Sequence, residues 1–354
     1  MKRFGHLFEK IVSIENLNLA DEIARKKKHH THGVLKHDKN KDENILNLHK
    51  SLINKTFTTS EYNIFTVKEP KERLVYNLPY YPDRIIHHAI MNIIEPIWVN
   101  IFPFNCFACL KGRGTSGCAK YISGVIKYFS KSKDLYCLKI DIKKFYPSIN
   151  HNKLKEIVRT TIKDNDLLWL IDDIIDSIHS DVGIPIGNYV SQFFANLYIS
   201  KFMHYCIEEL SFDVQKNLNL EDKPIIKSAS YCDDIVFISD RKDVLWETFN
   251  IVKNKIENDL LLTVKHNYQL FRIANNSFDK HGRALDYVGF CFFRRQKRIR
   301  KRIKQNFCRK AKKLDKIENL TDKDYKRGVA GYLGWAYHSN SKNLLNTIIT
   351  RDVL

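Results

Sequence analysis

The sequence lacks several features that define common protein classes. No segment reaches the ~18–20 consecutive apolar residues that a membrane-spanning helix needs. Charge appears too early at the N-terminus for the apolar core of a secretory signal peptide. Eight cysteines are scattered without the spacing of a disulfide framework, which is typical of a reducing compartment. We therefore expect a cytoplasmic protein with no membrane partner.

Acidic residues are outnumbered by basic ones. The chain has 59 Lys and Arg against 40 Asp and Glu, which gives a formal net charge of +19. Its 44% apolar content is ordinary for a globular protein, so the excess charge does not indicate disorder. It favours a polyanionic partner, most simply nucleic acid, over a merely soluble basic protein. A length of 354 residues allows more than one subdomain.

Two segments have the residue types and spacing of metal sites, and the sequence does not decide whether either binds a metal. Cys106 and Cys109 are spaced as in a zinc knuckle, but no second pair follows, so neutral thiols are the alternative. The basic tract Arg25–His32 clusters histidines, including His29, beside lysines. Contact with phosphates is favoured there over a metal, and a solvated loop is the alternative.

The richest signal is a set of three aspartates. Leu135–Asp141 reads as a buried strand that ends on its acid. Short apolar runs flank Asp233-Asp234 and leave no room for a helix, which predicts a hairpin with the carboxylates at its tip. The doublet Asp172-Asp173 differs, because it lies among apolar residues at helical spacing and reads as the solvent side of a helix.

Converging carboxylates repel each other unless cations lie between them, and a pair of divalent cations serves in-line phosphoryl transfer. We expect Asp141, Asp233 and Asp234 to be catalytic and to hold two Mg²⁺ ions. The carbonyl oxygen of Ile142 is a plausible further ligand. Magnesium suits such partly hydrated, oxygen-only coordination.

Candidates for nucleotide binding lie nearby in sequence. Lys111 and Arg113 alternate with two glycines, which suits a triphosphate, and Arg84 is a further cation. Arg113 is favoured because a guanidinium grips phosphate through two hydrogen bonds. Tyr146, five residues beyond Asp141, would lie under the incoming sugar and clash with a 2′-hydroxyl, with core packing as the alternative.

The three motifs, in this order, resemble those of reverse transcriptases. Asp141 matches the first catalytic aspartate of that family, and Tyr231–Asp234 matches its Tyr-x-Asp-Asp box. Gly183–Gly187 with Ser191 is similar to the motif usually written Pro-Gln-Gly and Ser-Pro. The resemblance adds nucleotide-binding candidates, which are Ile186, Gly187, Gln192 and Lys265, and primer-grip candidates, which are Tyr287, Val288, Gly289 and Phe290.

The resemblance implies an α+β fold of the right-hand polymerase type, with fingers, a palm of antiparallel sheet and packed helices, and a helical thumb. The expected divisions are an N-terminal helical and basic arm at 1–71, fingers at 72–134, a palm at 135–293 with a finger-side insertion at 150–185, and a basic helical thumb at 294–354. The thumb supplies the expected nucleic-acid-binding cations, which are Arg294, Arg295, Lys297, Arg298, Arg300 and Arg302.

Two departures from the family pattern indicate a subtype. Ile186 stands where the family has glutamine, and Ser191-Gln192 stands where it has Ser-Pro. Both resemble the reverse transcriptases of diversity-generating retroelements, which copy a template RNA with errors at adenines. Glutamine can hydrogen-bond the incoming nucleotide, whereas isoleucine offers only shape, so discrimination should weaken by up to about a few kcal/mol. A simple hydrophobic turn residue is the alternative for Ile186.

The resemblance also implies partners. They are template RNA and cDNA, their RNA–DNA heteroduplex, deoxynucleoside triphosphates, and an accessory variability protein, a small basic helical oligomer; the source would be a prokaryote or a phage. Another single-domain prokaryotic reverse transcriptase, of phage-defence or retron type, is the first alternative. A catalytically silent nucleic-acid-binding relative is the second.

Overall fold

The computed structural model describes residues 3–68 and 72–349. The chain divides into two compact units. The first unit comprises Met1–Phe104, Ile142–His204 and Lys253–Val264, and the second comprises Asn105–Asp141, Tyr205–Val252 and Lys265–Leu354. Both units are therefore discontinuous in sequence.

The first unit is mainly helical. Its elements are α1 (Phe8–Val12), α2 (Ile14–Ala24), α3 (His32–Asp38), α4 (Lys41–Ile53), β1 (Asn63–Val67), β2 (Arg73–Asn77), α5 (Ile85–Ile101), α7 (Phe145–Ser148), α8 (His151–Thr161), α9 (Asn165–Asp176) and most of α10 (Tyr189–Glu208). β1 and β2 pair as an antiparallel hairpin. Side chains cap two helices, since Asn150 accepts from Lys153 N at 2.9 Å and Asp164 accepts from Leu167 N at 3.2 Å.

Helix α5 is the centre of the first unit. Its apolar face, including Ile90 and Trp98, is fully buried, and α2 packs against it. Asn16 of α2 donates to the carbonyl of Ala89 at 3.0 Å, which satisfies a buried amide across that contact. The helical character predicted for the N-terminal arm agrees with α1 and α2.

Arg25 differs in its setting from the rest of the basic tract. Its guanidinium lies 2.6 Å from the buried carboxylate of Asp21 and 2.8 Å from Asp38, so it stabilises the fold of the first unit. The remaining residues, Lys26–His32, are exposed and run from the end of α2 to the first residue of α3. Within the tract, these residues are the ones placed to meet a polyanion.

The second unit is built on antiparallel sheets. Its elements are α6 (Gly114–Tyr128), β3 (Tyr136–Asp141), α11 (Leu210–Asn217), β4 (Lys227–Tyr231), β5 (Asp234–Ser239), most of α12 (Lys242–Asn258), β6 (Gln269–Arg272), β7 (Leu285–Tyr287), β8 (Phe290–Phe292), β9 (Lys297–Ile299), α13 (Lys301–Asp315), α14 (Asp322–Tyr337) and α15 (Lys342–Ile348). The main sheet has the order β4-β5-β3-β6, with every neighbour antiparallel. The predicted α+β class is confirmed.

One buried cluster joins the main sheet to its surroundings. Cys118 and Ile122 of α6 pack with Val236 of β5 and with Tyr287 and Phe292 of the smaller sheet, β7-β8-β9. A strand that is buried on both faces must be apolar at successive positions, which is why Ile235–Ile238 could be recognised from sequence. This core fixes the position of the β4–β5 turn.

The chain after residue 285 forms a small hairpin and then departs from one sequence expectation. In the hairpin, Val288 and Gly289 turn the chain between β7 and β8 with φ of 40° and 84°. The run from Arg294, expected to be helical, first forms β9, and α13 begins only at Lys301. Ile299 pairs with Phe290 and is buried, so strand packing overrides helix propensity there.

The C-terminal helices have a core of their own. Phe307 and Leu314 of α13 pack against Tyr325 and Val329 of α14. Within residues 3–68 and 72–349, no helix has the length and apolar character to cross a membrane.

Candidate active site

Two of the three aspartates face each other at one end of the main sheet. β3 ends at Asp141 and β5 begins at Asp234, and these two residues are register partners. β4 ends at Tyr231, which is also paired with Asp234, so Cys232 and Asp233 form a two-residue turn. Cys232 has a φ of 54°, a left-handed conformation that is costly for a residue with a side chain. The predicted hairpin tipped by carboxylates is therefore present.

Two lysines neutralise these carboxylates. Lys265 Nζ lies 2.5 Å from Asp141 Oδ1, and the Lys265 amide donates to the Asp141 carbonyl at 2.8 Å. Lys139 Nζ lies 3.0 Å from Asp234 Oδ2. The resemblance gave Lys265 as a nucleotide-binding candidate rather than as a partner of Asp141, and Lys139 was missed. Its signal was in the sequence, because residues two apart on a strand share a face and Lys139 precedes Asp141 by two.

The surroundings of Asp234 make its negative charge costly. Burial raises the pKa of its carboxyl to about 6, Lys139 opposes that rise, and the charges of Asp141 and Asp233 add to it. The three carboxyl groups therefore lie within electrostatic reach of one another. Its Oδ1 atom is buried and has no hydrogen-bond partner in the part of the chain that the structure describes.

Tyr287 fixes the hairpin from behind. Its fully buried hydroxyl donates to the Asp234 carbonyl at 2.7 Å. Lys139 Nζ lies 5.4 Å from the centre of the same ring and donates to the Asp286 carbonyl at 3.0 Å. The β7–β8 hairpin predicted as a primer grip is thus tied directly to the strand that carries Asp234.

A glycine is required at the tip of that hairpin. Gly289 has a φ of 84°, and a Cβ built on it would lie 2.4 Å from a ring carbon of Trp335. This contact with Trp335 joins the hairpin to α14. Trp335 of α14 therefore packs on the predicted primer grip, and its ring centre lies 5.0 Å from that of Phe290.

The donor set fits divalent cations, although the carboxylates are held by lysines here. Among the described residues, no three His, Cys, Asp or Glu side chains converge as a metal-binding group. The aspartates nevertheless supply only oxygen donors, and the buried Oδ1 of Asp234 lacks a hydrogen bond within the same described ranges. Hard divalent cations prefer such donors, and the lysine ammonium groups occupy the positive role that a cation would take.

The candidate triphosphate loop belongs to the second unit as well. The segment before it runs beside β4, since Phe107 N donates to Ser230 O at 3.0 Å and Ser230 N to Asn105 O at 2.9 Å. Arg113 precedes α6 and donates to the Cys106 carbonyl at 3.0 Å, while Lys111 is exposed. The role of these two cations in binding a triphosphate stays a prediction.

The two cysteines with zinc-knuckle spacing have different surroundings. Cys106 is buried, and burial raises the pKa of its thiol to about 12. Cys109 is exposed, and a hydrogen bond with Cys232 lowers the pKa of its thiol to about 7. Neither these thiols nor His29–His32 form part of a three-ligand metal group in the described ranges.

The predicted sugar-facing and base-facing residues gather in the first unit. Ile184 N donates to the Tyr146 carbonyl at 3.0 Å, and Tyr76 N donates to the Ile186 carbonyl at 2.9 Å. Gly187 has a φ of 118°, and an added Cβ would lie 3.1 Å from Val75 Cγ1. Tyr146 and Ile186 are half-buried and Gly187 is exposed. The Gly183–Gly187 turn is therefore held between α7 and β2.

The remaining predicted residues of the first unit have mixed settings. Arg84 directly precedes α5 and donates to the side chain of Asn77. Gln192 is half-buried on α10. Ile142, which directly follows Asp141 in the chain, is fully buried and forms an antiparallel β-bridge with Val264.

A groove of about 1000 Å³ in the first unit is not the candidate site. Its wall includes Asp172 and Asp173, which were expected to be solvated but are half-buried. Arg159 Nη2 lies 2.5 Å from Asp172, and Thr59 donates to Asp173 through its amide and hydroxyl. The α9 helix was predicted correctly, whereas the solvated state of its acids was not.

The basic run splits into structural and available cations. The Arg294 guanidinium donates to the carbonyls of Ser132 and Lys133, and Arg300 pairs with Asp286 at 2.6 Å. Lys297 lies 5.4 Å from the centre of the Phe290 ring, and burial lowers the pKa of its ammonium group. The exposed members of the predicted set are Arg295, Arg298 and Arg302.

The geometry agrees with comparisons to known proteins. The family model described as "Reverse transcriptase (RNA-dependent DNA polymerase)" matches residues 67–290, more than half of the chain. The chain belongs to the reverse transcriptase family. The expected right-hand polymerase fold is that of this family.

Individual relatives are distant. Protein YkfC of Escherichia coli K12 is 22% identical over 187 residues, 46% of this chain and 49% of YkfC. The retron Ec73 reverse transcriptase of Escherichia coli is 29% identical over 147 residues, 38% of this chain and 43% of that protein. The matches thus span about half the length of these curated relatives.

Solved structures similar to the chain include two telomerases. That of Candida tropicalis in its apo state has a TM-score of 0.47 and 11% identity, over 83% of this chain and 59% of that one. That of Candida albicans, bound to a fragment of telomeric RNA, has a TM-score of 0.49 and 10% identity, over 82% of this chain and 55% of that one.

Proposed function

We propose that the protein is an RNA-directed DNA polymerase that extends a 3′-hydroxyl with deoxynucleoside triphosphates. The observation that carries the proposal is the register pairing of Asp141 with Asp234, with Asp233 in the adjoining turn. Membership of the reverse transcriptase family supports it. Asp141, Asp233 and Asp234 would hold two Mg²⁺ ions, with the Ile142 carbonyl as a further donor. Bound there, the ions would neutralise charge that develops on the phosphates.

The chain's own residues have separate roles in this proposal. Lys139 and Lys265 hold the carboxylates of Asp234 and Asp141 at the sheet end. Arg113, with Lys111 and Arg84, would bind the triphosphate, since guanidinium groups donate to phosphate through two hydrogen bonds. Tyr146 would exclude a 2′-hydroxyl, and the Tyr287–Phe290 hairpin would position the primer.

Primer extension tests this function directly. A DNA primer on an RNA template should be extended with deoxynucleotides and Mg²⁺, and EDTA should abolish the product. Ribonucleotides should be used poorly, because the Tyr146 ring would leave no room for a 2′-hydroxyl. No extension on any primed RNA, with folded protein and Mg²⁺ present, would favour a nucleic-acid-binding relative without catalysis.

We further propose the diversity-generating retroelement subtype, with errors directed to template adenines. Its support is Ile186, whose backbone is fixed by Tyr76 and whose side chain offers no hydrogen bond to an incoming nucleotide. Template RNA, cDNA and an accessory variability protein would be partners in that system, and a prokaryotic or phage source with a cytoplasmic location would follow.

The substitution Ile186→Gln tests the subtype. It restores the amide and should lower misincorporation at template adenines more than at other bases, because a polar contact adds discrimination. Sequencing of the cDNA measures this. Ile184→Val is a matched control in the same turn, since Ile184 is buried. An unchanged error spectrum for Ile186→Gln would place the laxity elsewhere.

A retron-like or phage-defence reverse transcriptase is the competing function. The 29% identity to the retron Ec73 enzyme favours it. Both possibilities share the aspartates and the polymerase chemistry. A low error rate at adenines in the wild-type protein would favour this alternative.

A further inference from the structure

One aromatic side chain is far more exposed than its type usually is. Phe278 retains 86% of its accessible surface, at the tip of the loop Asn275–Gly282 between β6 and β7. Single apolar side chains are common on protein surfaces, so this exposure alone does not identify a binding site. The Phe278 ring differs from such residues in the loop that presents it and in the charges around it.

The loop is rigidly built around that ring. Asp279 accepts from the backbone amides of Asn275 at 2.9 Å and His281 at 3.0 Å. Ala274 N donates to Arg283 O at 3.0 Å and closes the base of the loop. A Cβ on Gly282 would lie 2.8 Å from the Arg272 carbonyl, so the chain there is also tightly packed. The Phe278 ring is presented by an ordered loop.

Cations surround the loop, whereas the carboxylate of Asp279 is bound by groups within the protein. Arg272 holds Asp279 at 2.6 Å and Asp134 at 3.3 Å, which brings the Ser130–Asp134 loop beside it. The exposed cations of the two loops and the adjoining chain are Lys131, Lys133, Lys280 and Arg295. Within residues 3–68 and 72–349, none of these four forms an ion pair. With Phe278 they make up the Phe278 patch.

Arg295 is placed beside the loop by the backbone. Its amide donates to the Asn275 carbonyl at 3.1 Å, and the Arg294 amide donates to the Ala274 carbonyl at 2.9 Å. Because the Arg294 guanidinium binds carbonyls of the Ser130–Asp134 loop, that side chain pins the patch together. Arg295 remains directed to solvent.

The patch lies at the end of the sheet opposite to the aspartates. Tyr136, at the start of β3, pairs with Arg272, whereas Asp141 ends the same strand. Five residue steps along a strand span about 17 Å. The Phe278 patch is therefore separate from the carboxylates and from the turn that carries Asp233.

We propose that the Phe278 patch is a docking surface for single-stranded RNA. An exposed aromatic ring stacks on an unpaired base, and surrounding lysine and arginine side chains bind the phosphates. A lone ring among polar residues buries too little area to hold a protein partner. The proposal rests on the proposed function for the source of the strand: product DNA leaves paired with its template, so the unpaired strand is template RNA.

Binding of the full-length protein to oligo(U) of about 16 nucleotides tests the proposal, since this length covers one single-strand site. Phe278→Ala should weaken binding about 5- to 150-fold and leave the salt slope unchanged, because the ring neutralises no phosphate. Phe278→Trp should restore affinity and Phe278→Leu should not. Lys280→Ala with Arg295→Ala should flatten the slope of log affinity against log salt by about 1.4.

Several results would overturn the proposal. Unchanged oligo(U) affinity for Phe278→Ala would remove the stacking role. Equal rescue by leucine and tryptophan would indicate a general apolar contact, such as a protein partner. Tighter binding of oligo(dT) than of oligo(U) would overturn the assignment to RNA. Because the Phe278 side chain is exposed, thermal melting should show no loss of stability in these variants.

A second readout separates this proposal from the proposed function. On a short primed template that cannot reach the patch, Phe278→Ala should extend the primer as the wild type does. Asp233→Asn should bind oligo(U) normally and fail to extend. If Asp233→Asn extends normally, the catalytic assignment fails while the patch stands or falls on the binding data alone.

Discussion

Two aspartate doublets show how position decides what the same residues do. Asp172-Asp173 lies on α9 in the first unit, where Arg159 and Thr59 take up both carboxylates. Asp233-Asp234 lies at the β4–β5 turn of the second unit. There Asp234 is paired with Lys139 and, among the described residues, retains a buried oxygen without a hydrogen bond.

The difference lies in how the fold uses the charge. On α9 the carboxylates are bound by groups of the same unit and stabilise it. At the sheet end, burial and neighbouring carboxylates raise the pKa of Asp234 to about 6, so its negative charge is held against a free-energy cost. Fold stability does not require such a cost, and a cation-binding function explains it.

The largest expected difference between the two doublets is in the rate of primer extension. Asp234→Asn removes a ligand charge and keeps the shape, so primer extension should fall by about a thousandfold or more, the scale expected when an essential catalytic group is removed. Asp173→Asn should extend normally but lose about 1 kcal/mol of folding free energy, because an amide is a weaker acceptor for Thr59. Single-turnover extension and urea unfolding measure the two effects.

That prediction has a clear contradiction. If Asp173→Asn reduced activity as severely as Asp234→Asn while remaining folded, the α9 doublet would be functional. The contrast between the two doublets would then disappear.

The pH response should distinguish the two units by its sign. In the first unit, burial lowers the pKa of His87 to about 3, so its contribution to stability is complete above the unfolded pKa of about 6.5 and is lost as the pH falls. At pH 5 the loss is about 2 kcal/mol. Asp234, whose pKa is raised, contributes in the opposite direction, because its share of stability is lost as the pH rises from about 4 to about 6.

Urea unfolding at pH 5 and at pH 7.5 measures this response. His87→Leu should remove about 2 kcal/mol of the acid sensitivity at pH 5, because this imidazole no longer needs to take up a proton. The remainder should come from other imidazoles such as His88, whose pKa burial lowers to about 4. Asp234→Asn should leave that acid sensitivity in place. An unaltered pH dependence in His87→Leu would show that other groups cause it.

The smallest expected effect distinguishes cations that form ion pairs within the protein from cations that are exposed to solvent. Arg298→Ala with Arg302→Ala should flatten the salt slope of RNA binding by about 1.4–1.8, at about 0.7–0.9 for each phosphate that is no longer neutralised. Arg300→Ala, the matched control, removes an ion pair with Asp286 and should leave the slope nearly unchanged. Equal slopes for the double variant and the wild type would mean that Arg298 and Arg302 do not touch phosphate.

Much of the aspartate site could be predicted from sequence. A strand that ends on Asp141 and a short turn at Asp233 are local patterns, set by apolar runs and by the absence of room for a helix. The helices at α8, α9 and α10 follow from caps and helical spacing in the same way. Patterns within short stretches of sequence were therefore enough to predict these elements.

The rest depended on interactions between distant parts of the chain. β9 replaces the expected helix because Ile299 pairs with Phe290, which no local pattern reveals. The basic run reads as uniform in sequence, yet Arg294 is bound by carbonyls from the Ser130–Asp134 loop. Lys139 is recognised as a partner of Asp234 only once β3 and β5 are known to be neighbours.

The most direct test of the central claim is divalent cation binding itself. Mn²⁺ titration followed by electron paramagnetic resonance should show that Asp141→Asn and Asp234→Asn each bind the ion at least about 10–100-fold more weakly than the wild type. Losing a residue that only hydrogen-bonds to a metal ligand already has an effect of that size, and these aspartates would be ligands themselves. Asp172→Asn should bind Mn²⁺ as the wild type does. Wild-type affinity in Asp141→Asn, or equal weakening in Asp172→Asn, would contradict the assignment of the sheet-end carboxylates as the metal-binding site.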